Sequence, residues 1–173
     1  MIYTEQLILT EPNQDDFHRY FAINADPQNN LYNPSGAMKY EAAISNFGNI
    51  IRHWQEHKFG VWSVAEKKNP KYIIGFGGLN YKQYANHLRL NLGYRFDKDF
   101  WGKGYATELA VMAIEFGFNG LVENEIYALV RPSNLSSIRV LEKSGLELFS
   151  ELNDVENEAN SLVFRIENKP IND

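Results

Sequence analysis

Leu92-Gly93-Tyr94-Arg95-Phe96-Asp97-Lys98-Asp99-Phe100-Trp101-Gly102-Lys103-Gly104-Tyr105-Ala106-Thr107-Glu108 reads as a strand, a glycine-bearing loop and the first turn of a helix. Gly102 and Gly104 carry no Cβ, so a ligand can approach the backbone closely there. A helix that begins near Tyr105 aims unpaired N–H groups and the positive end of its dipole at whatever lies in front, which suits a phosphate. A pyrophosphate-bearing cofactor follows as the first expectation. Two common nucleotide motifs fail on spacing. A dinucleotide fingerprint needs a third glycine, and Gly102-x-Gly104-x-Ala106 lacks it at the required offset. A P-loop needs an upstream glycine before its Gly-Lys pair and Ser or Thr after the lysine, whereas Gly104 follows Lys103.

Working outward, Leu88, Leu90, Leu92, Tyr94 and Phe96 alternate with a period of two, as on a strand with one apolar face. Downstream, Tyr105, Leu109, Met112, Ala113 and Phe116 share one face of a helix over residues 105–119, which Gly117 and Gly120 weaken and end. Towards the N-terminus the pattern predicts a strand over 4–9 and a helix over 14–24, capped by Asn13 with Asp15 and Asp16 in its first turn. A loop spans 25–37. A second helix spans 38–58, with Ile44, Phe47, Ile51 and Trp54 on one face. Strands follow over 60–66 and 72–81, with turns at 67–70 and 82–86. Beyond the loop come a strand over 125–130, a helix from Asn134 to about residue 143 with Gly145 as its C-cap, and strands over 146–152 and 161–166. The tail 167–173 is expected to fray. No internal repeat or linker divides the chain, so residues 1–166 read as one domain of mixed α/β class.

Composition narrows the function classes. The 173 residues suffice for one domain with a sizeable core, and 44% apolar and 14% aromatic content describe a folded chain. Cysteine is absent, which removes disulfides, thiolate nucleophiles and zinc–cysteine sites. No His/Asp/Glu cluster has metal spacing, so no metal is expected. The net charge of −5 disfavours a nucleic-acid partner and mildly suits a cationic acceptor. The N-terminus is unlike a signal peptide and no apolar run approaches a membrane span, so the expectation is a cytoplasmic protein with no membrane partner.

The loop resembles the acyl-CoA loop of the GNAT superfamily of N-acetyltransferases, Gln/Arg-x-x-Gly-x-Gly/Ala, with Trp101 in the Gln/Arg place. Trp101-Gly102-Lys103-Gly104-Tyr105-Ala106-Thr107-Glu108 is similar to the branch that contains the ribosomal-protein N-terminal acetyltransferases (the Rim type). Asn134-x-x-Ser137-x-x-x-Leu141-Glu142-Lys143-x-Gly145 resembles a second signature of that branch. Thr4-Glu5-Gln6-Leu7-Ile8-Leu9 matches its usual first strand. The three blocks occur in the family's order over almost the whole chain.

The resemblance implies a central, mostly antiparallel sheet of about seven strands, splayed between the fourth and fifth and flanked by helices. It implies acetyl-CoA as cosubstrate and a primary amine as acceptor, either a protein N-terminus or a small-molecule amine, in a monomer or homodimer. The acetyl group would move by direct attack of the amine. The implied cofactor-binding residues are Tyr94, Arg95 and Phe96 through their backbone, Trp101, Gly102, Lys103, Gly104, Tyr105, Ala106 and Thr107 around the diphosphate, and Asn134 and Ser137. Read without the resemblance, the glycines make a tight turn, Asn134 a helix cap, and Tyr94 and Phe96 core residues.

The departing thiol has an ordinary pKa of ~8.5, so a hydroxyl donor beside it would help. Many members carry a tyrosine on the helix after Asn134. Leu141 stands near that place, and the match points instead to Ser137 as general acid. Some members carry a glutamate where this chain has Asn91. His87, Tyr94 and Glu66 are other candidates for the base, none with a motif behind it. His18, His53 and His57 read as surface or helix-packing residues. With the usual tyrosine and glutamate missing, a non-catalytic acyl-CoA-sensing module of the same fold is the alternative.

Overall fold

In the computed structural model, which describes residues 1–168, the first apolar segment folds as a hairpin. β1 (Ile2–Tyr3) pairs antiparallel with β2 (Leu7–Thr10), Ile2 opposite Leu9. Where the sequence predicts one strand over 4–9, the chain turns after Thr4, closed by the Thr4 amide on Leu7 O and the Leu7 amide on Thr4 Oγ1 (3.1 Å each) and held by a residue far away. The Glu108 carboxylate takes the Thr4 hydroxyl, the Gln6 amide at 2.7 Å and the Gln6 side chain at 2.9 Å.

Asn13 then accepts from the Asp15 amide (2.8 Å) while Asp16 accepts from the Asn13 amide (3.1 Å), a reciprocal cap. It opens a 3₁₀ turn, Gln14–Asp16, that runs into α1 (Phe17–Ala25). The connection beyond contains a second 3₁₀ turn, Gln28–Asn30. α2 (Tyr40–His57) buries Ala43 and Phe47 and stops at Lys58, whose φ of 63° is left-handed. Ile44, predicted on its inner face, is exposed.

β3 (Val61–Glu66), β4 (Asn69–Tyr84) and β5 (His87–Phe96) form an antiparallel meander. Its turns are only two residues each, Lys67-Lys68 and Ala85-Asn86. They are shorter than polarity suggests, because Lys82 opposite Arg89 and Gln83 opposite Leu88 continue the ladder into solvent. A ladder is made by backbone groups, so polar side chains do not end it. α3 (Tyr105–Glu115) passes through Gly117 and Gly120 as a wide π-type turn, Phe116–Gly120. β6 (Glu125–Val130), α4 (Leu135–Lys143), β7 (Glu147–Leu152) and β8 (Ser161–Glu167) complete the order. Glu167 closes β8, and the Asn168 amide donates to Asn124 O at 2.8 Å. The remainder of the tail expected to fray, 169–173, lies outside the described residues.

The strands make one sheet in the order β1-β2-β3-β4-β5-β6-β8-β7. Every neighbouring pair is antiparallel except β5 and β6, which are parallel and share one register pair, Asn91 opposite Tyr127. The expected splay falls there. The short β1 makes eight strands of the expected seven.

Helices cover both faces. Tyr20, Ile23, Ala43 and Phe47 of α1 and α2 pack on Phe76. On the other face Leu109, Ala110 and Ala113 of α3 and Leu141 of α4 pack with Leu79, Leu90, Leu92 and Phe96. Gly77 lets α3 come down onto β4, since a Cβ there would stand 2.3 Å from Leu109 Cδ2. Leu88, the first residue of the alternation, is 64% exposed because it precedes the covered part of β5. Among the described residues no helix is long and apolar enough to cross a membrane, and no group of three metal-ligating side chains forms.

Candidate active site

Beyond Asn91, β5 and β6 part, and residues 92–96 have no strand beside them on that edge. The vertex of the cleft is polar but uncharged. Buried Asn91 accepts from the Tyr84 hydroxyl (2.7 Å) and donates to Asn80 Oδ1 (3.1 Å). Burial pushes the Tyr84 phenol well above its usual range, so this chain stays neutral. The Asn91 amide is therefore spent in a neutral network.

The loop after β5 is held from three sides. Asp97 caps a 3₁₀ turn, Lys98–Phe100, and pairs with Arg19 at 2.7 Å. Lys98 reaches Asp26 at 2.7 Å, and its amide donates to Asn29 Oδ1 at 3.1 Å. Arg95, half-buried behind the cleft, donates to Asn30. Trp101 folds back, its indole N–H donating to Phe96 O at 2.9 Å. Lys103 lies 4.5 Å from the Phe100 ring centroid.

Gly102 and Gly104 follow with φ of +75° and +82°. A Cβ on either would meet nothing within 4 Å, so the dihedral demands glycine and the space before α3 holds no protein. The Glu108 amide is bonded to Gly104 O at 3.0 Å, whereas the amides of residues 102–107 make no backbone hydrogen bond among the described residues. Six donors without a partner among the described residues and a helix dipole, facing open space, fit a diphosphate. Ala106 and Thr107 sit half-buried in that first helical turn.

Tyr105 is buried and its hydroxyl donates to Glu66, so its side chain anchors α3 and only its amide faces that open space. That bond, with burial, raises the Tyr105 phenol to about 12. Burial alone would raise the Glu66 carboxyl, but the bonds from Tyr105 and Lys68 (3.1 Å) outweigh it and leave the carboxyl below its usual range. Glu66 is thus an anionic anchor. His87 is exposed at the opposite end of β5 from the glycine loop. Neither has the placement of a base in this cleft. His53 is fixed between Phe59 O (2.8 Å) and the Tyr81 amide (3.2 Å), and His18 lies 2.7 Å from Asp15 O.

On the far lip, Asn134 caps α4 by accepting from the Ser137 amide at 3.1 Å. Ser137 Oγ is met across the cleft by the Tyr94 hydroxyl at 3.0 Å. Burial raises the Tyr94 phenol to about 12, the Ser137 bond pulling the other way. A phenol raised in this way is ill suited to be the base that the sequence left open. The structure thus brings Tyr94, Asn134 and Ser137 together, ties Glu66 to the Tyr105 side chain under the glycine loop, and leaves His87 at the other end of β5. The Tyr94–Ser137 pair escaped the sequence reading. Its one advance signal is that Tyr94 shares the alternation of Leu90, Leu92 and Phe96 and so faces the α3–α4 side.

The model of the acetyltransferase (GNAT) domain matches residues 6–147. A probable N-acetyltransferase of Bacillus subtilis, YjcK, is 30% identical over 82% of this chain and 72% of its own length. Among solved structures, an acetyltransferase from Agrobacterium tumefaciens superposes with a TM-score of 0.82 at 23% identity, over 96% of this chain and 94% of that one. A spermidine N-acetyltransferase from Vibrio cholerae, with CoA and spermine, gives 0.74 at 19% identity, over 94% and 95% of the two chains. RimL, a ribosomal L7/L12 α-N-protein acetyltransferase in complex with CoA, gives 0.75 at 14% identity, over 95% of both. These structural likenesses carry the fold, and the domain match over most of the chain carries the family: the protein belongs to the GNAT acetyltransferases, the acyl-CoA-dependent enzymes of this fold.

Proposed function

We propose that this enzyme acetylates a primary amine at the cleft between β5 and β6, and that its preferred acceptor is an α-amine such as a protein N-terminus. Bound acetyl-CoA supplies an acetyl group activated as a thioester. The amides of Gly102, Lys103, Gly104, Tyr105, Ala106 and Thr107 would hold the diphosphate, with Trp101 closing the loop behind them. The open backbone edge at Tyr94, Arg95 and Phe96 would bind the pantetheine arm. Phe96 O already accepts from Trp101 and the Arg95 backbone faces β4, so Tyr94 carries most of that pairing. Asn134 adds a contact from the far lip. Ser137 gives its hydroxyl proton to the departing sulfur.

The observation that carries this reading is the row of unpaired amides behind Gly102 and Gly104 at the mouth of the splay. The acceptor class follows from the neutral vertex. No carboxylate stands at Asn91 to take the ammonium proton. At neutral pH roughly one α-amine in ten is already free, against roughly one lysine-type amine in a few thousand. An acceptor of modest basicity needs only water to carry its proton away. The same reading treats residues 1–166 as one cytoplasmic domain, working as a monomer or homodimer.

Thiol release from acetyl-CoA, followed against spermidine, dipeptides and ribosomal-protein N-terminal peptides, tests it. We expect turnover with free α-amines, rising with pH through about 8, where the α-amine loses its proton. Preference for spermidine would overturn the acceptor assignment. CoA binding without thiol release for any amine would favour a sensing module.

A further inference from the structure

The Tyr94 hydroxyl lies 3.0 Å from Ser137 Oγ and 3.4 Å from Ser137 O. One residue stands on each lip of the cleft, 43 positions apart in sequence. Ser137 Oγ has no other hydrogen-bond partner among the described residues. A serine hydroxyl has a single proton and can accept as well as donate. If Ser137 donated to Tyr94, that proton would be engaged by the phenol oxygen and withheld from a departing sulfur. If Tyr94 donates, Ser137 accepts with a lone pair and its own proton is left to point elsewhere. A phenol is the stronger acid of the two hydroxyls and therefore the better donor. Leu141 of α4 is 1% exposed and packs in the core, and α4 has no tyrosine, so that helix offers no phenol of its own.

We propose that Tyr94 is a positioning residue: it donates to Ser137 Oγ and thereby leaves the Ser137 proton free for the departing sulfur in the cleft between β5 and β6. The phenol missing from α4 is supplied by the opposite lip and acts through the serine. The proposal rests on the reading of Ser137 as general acid. In the step concerned, the amine nitrogen bonds to the acetyl carbon and the carbon–sulfur bond breaks. The Ser137 Oγ proton passes to sulfur, and Oγ is reprotonated from water that has received a proton from the amine. Tyr94 keeps its proton throughout, in line with a phenol held up by burial.

A double-mutant cycle tests this on the intact protein. Thiol release from acetyl-CoA is measured for Ser137→Ala, Tyr94→Phe and the pair. The acceptors are the best amine of the screen and, independently of any amine, water alone. Loss of the acid in Ser137→Ala should lower kcat by about a hundredfold. Loss of one orienting hydrogen bond in Tyr94→Phe should lower it by about tenfold. The double variant should be no slower than Ser137→Ala, and KM for acetyl-CoA and thermal stabilisation by CoA should hold in all three. A Tyr94→Phe loss that persists in the Ser137→Ala background, or that appears in KM, would overturn the positioning role. Full kcat in Ser137→Ala would instead remove the acid itself, a separate result.

Discussion

Trp101 turns its indole back onto the strand it has just left, and its N–H donates to Phe96 O at 2.9 Å while the ring stays 50% exposed. One bond thus closes the loop that begins at β5 and ends at α3. A net hydrogen bond is worth about 0.5–1.5 kcal/mol, so Trp101→Phe should weaken CoA binding about three- to tenfold. Titration calorimetry measures this directly. Unchanged affinity would mean that the contacts of Asp97 and Lys98 suffice to shape the loop.

Gly104 separates backbone strain from ligand contact. Its φ of +82° costs an alanine about 1–2 kcal/mol, yet the added methyl meets no protein atom within 4 Å. Gly104→Ala should therefore fold with a modestly lower Tm. The methyl would stand in the space assigned to the diphosphate, so CoA should stabilise the variant far less than the parent. Equal thermal shifts with CoA would place the diphosphate elsewhere.

Glu108 ties the first hairpin to α3 through Thr4 and Gln6. Hydrogen bonds to a charged group contribute about 1.5–3 kcal/mol, so Glu108→Ala should destabilise by about that amount in urea unfolding. Burial works to raise this carboxyl, but the bonds from Gln6 and Thr4 outweigh it and hold it below 4.5. Its contribution is complete above that value and is lost as the pH falls through the folded pKa. The gap between parent and Glu108→Ala should close in acid.

His53 gives the opposite dependence. Its Nε2 accepts from the Tyr81 amide, so Nδ1 carries the proton and donates to Phe59 O. Burial lowers its pKa below 6.5, and the neighbouring His57, 4.4 Å away between ring centroids, adds repulsion. The unfolded chain then takes up this proton at higher pH than the folded one. Stability is complete above 6.5 and declines as the pH drops towards the folded value. His53→Gln should lose less Tm than the parent between about pH 7.5 and about pH 5.5. Parallel losses would show that other groups set the acid limit.

The features legible in the sequence were those set by near neighbours. The alternation at Leu90, Leu92, Tyr94 and Phe96, the caps at Asn13 and Asn134 and the two glycines each depend on a few adjacent residues, and each predicted element appears near its expected place. What escaped depends on partners distant in sequence. No local pattern announces that Glu108 will hold the turn after Thr4. Ile44 has the spacing of a buried residue, but periodicity defines a stripe without saying how far the facing elements extend. Tyr94 and Ser137 belonged to separate motifs, and only the folded sheet sets them across one gap.

The single register pair at Asn91 and Tyr127 has a mechanical consequence. Sheets normally keep bare edges at their margins, where charge, proline or a covering loop guards them. This protein keeps one in its middle, so β1–β5 and the β6–β8–β7 group are clasped at one point along their shared border. An occupant that bonds to this inner edge would act as an extra strand and splice the two halves. Amide exchange should then slow on both sides together when CoA binds, at residues 92–96 and along β6, a coupled response that a ligand confined to the glycine loop would not produce.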